Sequence, residues 1–226
     1  MLLISEKIFF AAAGVCLFLA LLAVSVFSVC FDASFYNKTF VKYNVSAQAG
    51  VSYGDLETVT DNIIKYLSGQ SSALDAKVYI NGVLRPFFNE KEAAHMEDVR
   101  GVVWGGFTLF AASALTLCAA TAFAAAKKTL PGALHVLTVS ALCCLGLFAV
   151  LCAVIAANFD GAFALFHKIF FNNDLWLLDP ETDALINIMP LEFFIDAAAR
   201  AGITFFMLYA VALSLLSAKT ARRWVK

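Results

Sequence analysis

Four long apolar runs and two mixed segments divide the chain. The runs cover 8–31, 101–126, 131–157 and 201–217. At about 1.5 Å per helical residue, each is near the length needed to cross roughly 30 Å of hydrocarbon. The mixed segments, 32–100 and 158–200, carry shorter periodicities. In the first, Leu56, Val59, Ile63 and Leu67 recur at helical spacing and Gly69 follows as a stop. Lys77–Ile80, Asn81-Gly82 and Val83–Pro86 predict a hairpin, because Asn-Gly supplies the positive φ values of a type I′ turn. Asn89 followed three residues later by Glu92 predicts a helix start with reciprocal capping. From Glu90 no breaker occurs before Gly101, so one helix should begin outside the apolar run and continue into it. His95 then lies six residues before the run, about 9 Å above its start.

The second mixed segment is the most informative stretch. Residues 163–194 are too interrupted by charge and proline to span a bilayer, and too rich in Phe, Leu and Ile for a solvated loop. Phe159, Phe163, Phe166 and Phe170 fall on one helix face suited to an interface. Asn172 and Asn173 should end that helix, and Trp176 fits an interfacial anchor. Asp179-Pro180 reads as an N-cap with proline at the first helical position, and Pro190 opens the last helix. Glu192, Asp196 and Arg200 share a face there and predict an ion-pair ladder. The expected fold class is a mainly α integral membrane protein. Its four transmembrane helices carry a small mixed α/β extracytoplasmic domain built from the two outer segments.

Composition agrees, with 62% apolar residues and a mean hydropathy of +0.81, far above an ordinary soluble domain. The first run is too long for a signal-peptide core and no small-x-small site follows it, so we expect an uncleaved anchor. Lys7, the Lys127–Lys128 link, and Lys219, Arg222, Arg223 and Lys226 put both termini and the link in the cytoplasm by the positive-inside rule. Both mixed segments then face outward. A net charge of −1 and the lack of a basic stretch give no nucleic-acid footprint. All six cysteines fall in or at the ends of the apolar runs, where a disulfide framework is not expected.

Three histidines carry the candidate chemistry. His135, four residues after Pro131, belongs near the cytoplasmic end of the third span and reads as packing. His95 and His167 share the outer interface. Glu92 and Asp98 flank His95 three residues away on either side, placed to orient its ring or raise its pKa, or simply to solvate the helix face. No GxSxG, SxxK or HExxH motif occurs, and no paired-ligand spacing marks a metal site, so neither metal nor cofactor is expected.

At NEKEAAHMEDV (89–99) and FHKIFFNNDLWLLDPETDALINIMP (166–190) the chain resembles the bacterial lipoprotein intramolecular transacylase family. The resemblance covers nearly the whole length. It implies an enzyme of the bacterial cell membrane whose site lies at the outer leaflet and whose partners are diacylglyceryl-cysteine lipoproteins and membrane lipids. That enzyme moves an acyl chain from the sn-2 ester to the α-amino group of the N-terminal cysteine, giving the lyso form. The family's two essential histidines correspond to His95 and His167. Amine attack on an ester must remove a proton from nitrogen and supply one to the departing glycerol oxygen, which two imidazoles can do. We assign His167 as base and His95 as acid, with the reverse open, and name Asn172, Asn173 and the Trp176 indole as oxyanion candidates. The competing readings are a scaffold or sensor that binds a partner, and a small transporter. The second is disfavoured by spans almost without ionisable residues.

Overall fold

The computed structural model describes the backbone of residues 2–221 and the side chains of residues 2–216. Arg222, Arg223 and Lys226, which enter the orientation argument, lie outside the described residues, as does the side chain of Lys219. The chain forms two compact units, one of residues 1–26, 106–158 and 201–226, the other of residues 27–105 and 159–200.

Four helices are long and apolar enough to cross a membrane: α1 (Ile4–Cys30), α5 (Glu90–Ala126), α6 (Leu130–Ala157) and α9 (Leu191–Ala221). In the first unit their packing rests on small residues and buried rings. Phe10, Ala13, Ala120, Ala124, Ala133 and Leu137 form one cluster, and Ala141, Phe205 and Tyr209 another. Gly14 lets α1 approach α6, since a Cβ there would stand 2.6 Å from the Leu137 carbonyl oxygen. Ser140 Oγ donates to Ala11 O at 2.7 Å across the same contact, and Tyr209 donates to Ala141 O at 2.7 Å. Small residues and hydrogen bonds of this kind hold helices together where lipid offers no hydrophobic drive. The outer faces are apolar, with Leu115, Leu147, Val150, Val154 and Leu215 exposed, as hydrocarbon contact requires.

The second unit holds the short elements α2 (Ala33–Lys42), α3 (Val45–Ala49), α4 (Tyr53–Ser68), β1 (Lys77–Ile80), β2 (Val83–Pro86), α7 (Phe159–Phe170) and α8 (Ala184–Ile188). Leu56, Val59, Ile63 and Leu67 are all buried on α4, which ends as expected at Gly69 with φ 81°. The hairpin pairs Lys77 with Pro86 through Ile80 with Val83, around Asn81 (φ 51°) and Gly82 (φ 80°). At the start of α5, Asn89 N–H donates to Glu92 Oε2 at 2.8 Å and Glu92 N–H to Asn89 Oδ1 at 2.9 Å, the reciprocal cap.

Two expectations give way to tertiary partners. Asp179-Pro180 opens a turn rather than a helix: the Thr182 and Asp183 N–H groups both donate to Asp179 O, and α8 starts only after Asp183. The ladder on α9 does not form either. Asp196 accepts from Lys42 Nζ at 2.6 Å and Tyr43 at 3.0 Å, and Arg200 pairs with Asp32 at 2.5 Å. A helical i,i+4 pair is worth only about 0.2–0.5 kcal/mol, so partners from α2 and its cap displace it readily.

Candidate active site

The second unit brings His95 and His167 together. His95 stands on the second turn of α5 and His167 on the last turn of α7, and both are buried. Their ring centroids are 6.0 Å apart at an interplanar angle of 31°. Around His167 lie Phe163 at 4.3 Å, Trp176 at 4.8 Å and nearly parallel, and Phe166 and Phe171 at 5.5 Å. Phe171 also meets His95 edge-on at 5.3 Å.

The tautomer of His167 follows from its partner. Nδ1 lies 2.7 Å from Phe163 O, and a carbonyl can only accept, so Nδ1 carries the proton and Nε2 keeps its lone pair. Burial lowers the His167 pKa, partly opposed by that backbone bond. For His95, burial and then the charge of His167 pull the pKa down to about 4, against an upward pull from Asp98. Flanking carboxylates are expected to raise it. Asp98 acts in that direction and is outweighed, so both rings are neutral at pH 7. His95 Nδ1 is buried without a partner among the described residues.

The other candidates have these surroundings. Glu92 does not orient His95. Its buried carboxylate accepts from Asn89 N–H at 2.8 Å and Leu185 N–H at 2.6 Å, and burial raises its pKa despite those bonds. Asn173 donates to Asp98 at 2.8 Å while its own oxygen accepts from Leu175 N–H at 3.1 Å. Asn172 is exposed, and Trp176 offers a ring face to His167. Among the described residues, no three His, Cys, Asp or Glu side chains gather as a metal-ligand set.

Sequence reasoning missed Asp183. Only 3% exposed, it accepts from Asn89 Nδ2 at 2.8 Å, Lys91 Nζ at 3.0 Å and Asp179 N–H at 2.8 Å. Burial alone would raise its pKa. Those bonds, with the Lys91 charge, win and hold it at about 2. Nothing in the local pattern marks it, since its partners Asn89 and Lys91 are more than 90 residues away.

The family model for "Lipoprotein intramolecular transacylase Lit" matches residues 11–194. The chain belongs to this family. It is therefore a membrane-integral acyltransferase acting on lipoproteins. A solved structure of the membrane-integral lipoprotein intramolecular transacylase Lit from Bacillus cereus is similar over 98% of this chain and 99% of that one, with TM-score 0.82 and 20% identity. Two further structures of the Bacillus cereus transacylase, each with one histidine replaced, by alanine or by arginine, give TM-scores of 0.77 and 0.74 at the same identity. They cover 98% of this chain and 96% and 95% of theirs. At that identity the likeness carries the fold. No curated protein matches the chain by sequence.

Proposed function

We propose that this transacylase moves the sn-2 acyl chain of a diacylglyceryl-cysteine lipoprotein to the α-amino group of that cysteine, at the outer face of the cell membrane. His167 and His95 carry the proton transfers. The observation that supports this most is the pair of buried neutral imidazoles 6.0 Å apart, one with Nδ1 tied and Nε2 basic. A base must be unprotonated at working pH, and burial keeps both rings so.

The amine nitrogen attacks the ester carbonyl and His167 Nε2 takes the proton that nitrogen must lose. As the tetrahedral adduct collapses, the carbon–oxygen bond to glycerol breaks and the amide remains. The His167 imidazolium passes its proton to one nitrogen of the neutral His95 ring as the other nitrogen of that ring gives its proton to the departing oxygen, so no imidazolate forms and both rings end neutral. Donor and acceptor are one molecule, so no enzyme nucleophile is needed. The Phe-rich face of α7 (Phe159, Phe163, Phe166 and Phe170) holds the acyl tails. No metal or cofactor enters the scheme.

Mass spectrometry of a lipoprotein N-terminus tests the reading. Cells with the chain should yield N-acyl lyso lipoprotein. His95→Ala and His167→Ala should lose it by about 10²–10⁴-fold while accumulating normally, and His135→Ala should keep it. A fully active His167→Ala enzyme would remove the base and favour a non-catalytic scaffold.

A further inference from the structure

His95 sits on α5 and His167 on α7, and a loop leads from α7 to α8. That loop carries Trp176, whose ring stacks on His167 at an interplanar angle of 27°. It and the first turn of α8 are fastened to α5, the helix of His95, at three levels. Asn173 bonds Asp98, Lys91 Nζ donates to Leu177 O at 2.7 Å, and Leu185 N–H donates to Glu92. Lys91 also pairs with Asp183 at 3.0 Å, and Asp183 in turn takes Asn89, just before α5, and the Asp179 N–H from the loop itself. A buried charge that stays ionised needs such a complete set of donors, and losing any leaves the rest unsatisfied. Leu177, anchored by Lys91, directly follows Trp176.

We infer that Asp183 and Lys91 are positioning residues for the transfer, locking the loop so that Trp176 covers His167 and holds its ring toward His95. This rests on the histidine reading above. Neither residue touches the imidazoles in the bonds described, so they act through Trp176. The ring partners of His167 are Phe163, Phe166, Phe171 and Trp176, which carry no charge, and His95, on which Asp98 acts in turn. Uncovering the ring relieves its desolvation, and the acidic limb of the reaction should move up toward the ordinary histidine range.

The test compares purified full-length Asp183→Asn, Lys91→Met and His167→Ala with the parent, using a diacylated lipopeptide in detergent micelles and rates normalised to folded protein. Asp183→Asn keeps the side-chain shape but sets an NH₂ group either against both Lys91 Nζ and the Asp179 N–H or against Asn89 Nδ2. Lys91→Met cuts the Leu177 tether from a side chain that is 37% exposed, so it serves if the buried variant folds poorly. The expected result is a fall in kcat of about 10²-fold, the usual consequence of misplacing a catalytic group by an ångström. KM should stay near the parent's and the acidic limb should shift upward. Parental kcat and parental pH limb in the variants, with His167→Ala inactive, would overturn the positioning role and leave the histidine reading standing. An active His167→Ala enzyme would overturn both.

Discussion

Burial at two imidazoles decides the protonation state at which this site works. In the unfolded chain both would titrate near 6.5, whereas in the fold His95 is held at about 4 and His167 is also lowered. The sign follows from proton binding. Between about 6.5 and 4 the unfolded chain takes up protons that the folded site refuses, so the stability contribution is full above 6.5 and is lost as pH falls through that window. Activity should follow the same direction. The acidic limb of kcat/KM should lie below the ordinary histidine value, because His167 stays unprotonated to lower pH than a free imidazole. A pH–rate profile with its limb at or above 6.5 would show that the base is not buried as described.

At the scale of elements, local signals were legible wherever a backbone constraint was local. Asn81-Gly82 must turn with positive φ, Gly69 must end α4, and Asn89 with Glu92 must cap α5, so hairpin, stop and cap were all readable. What could not be read was pairing between distant residues. Asp196 and Arg200 look like neighbours on one face and instead meet α2 and its cap, and Asp183 has no local mark at all. The histidine pair was legible as two residues at one depth, but not the Phe163, Phe171 and Trp176 rings that enclose it. Gly69 offers a direct check on the local side. A Cβ there would meet the Trp104 ring at 2.6 Å, in a left-handed conformation that costs non-glycine residues about 1–2 kcal/mol. Gly69→Ala should therefore lower the unfolding midpoint in detergent by several degrees, and an unchanged midpoint would mean that α4 ends otherwise.

The whole molecule adds a direction and a tether. Lysine and arginine asymmetry supports placing the 127–130 link inside and the second unit outside. Cysteines introduced at Ser71 and Glu181 should then react with impermeant reagents on intact cells, and one at Thr129 only after permeabilisation. Labelling of Thr129→Cys on intact cells would reverse the site's side. The tether concerns chemistry. The attacking amine and the ester belong to one substrate, so much of the entropy of bringing them together is spent before binding. The enzyme can then work with general acid–base groups alone, and the cysteines lie in or at the ends of the apolar runs rather than beside the imidazoles. The purified protein should keep its activity in EDTA and after thiol alkylation. In membranes whose other lipids carry heavy acyl chains, the product should hold the substrate's own light chain on nitrogen. Heavy label on the cysteine nitrogen would mean that the chain came from another lipid, and the intramolecular transfer would have to be abandoned.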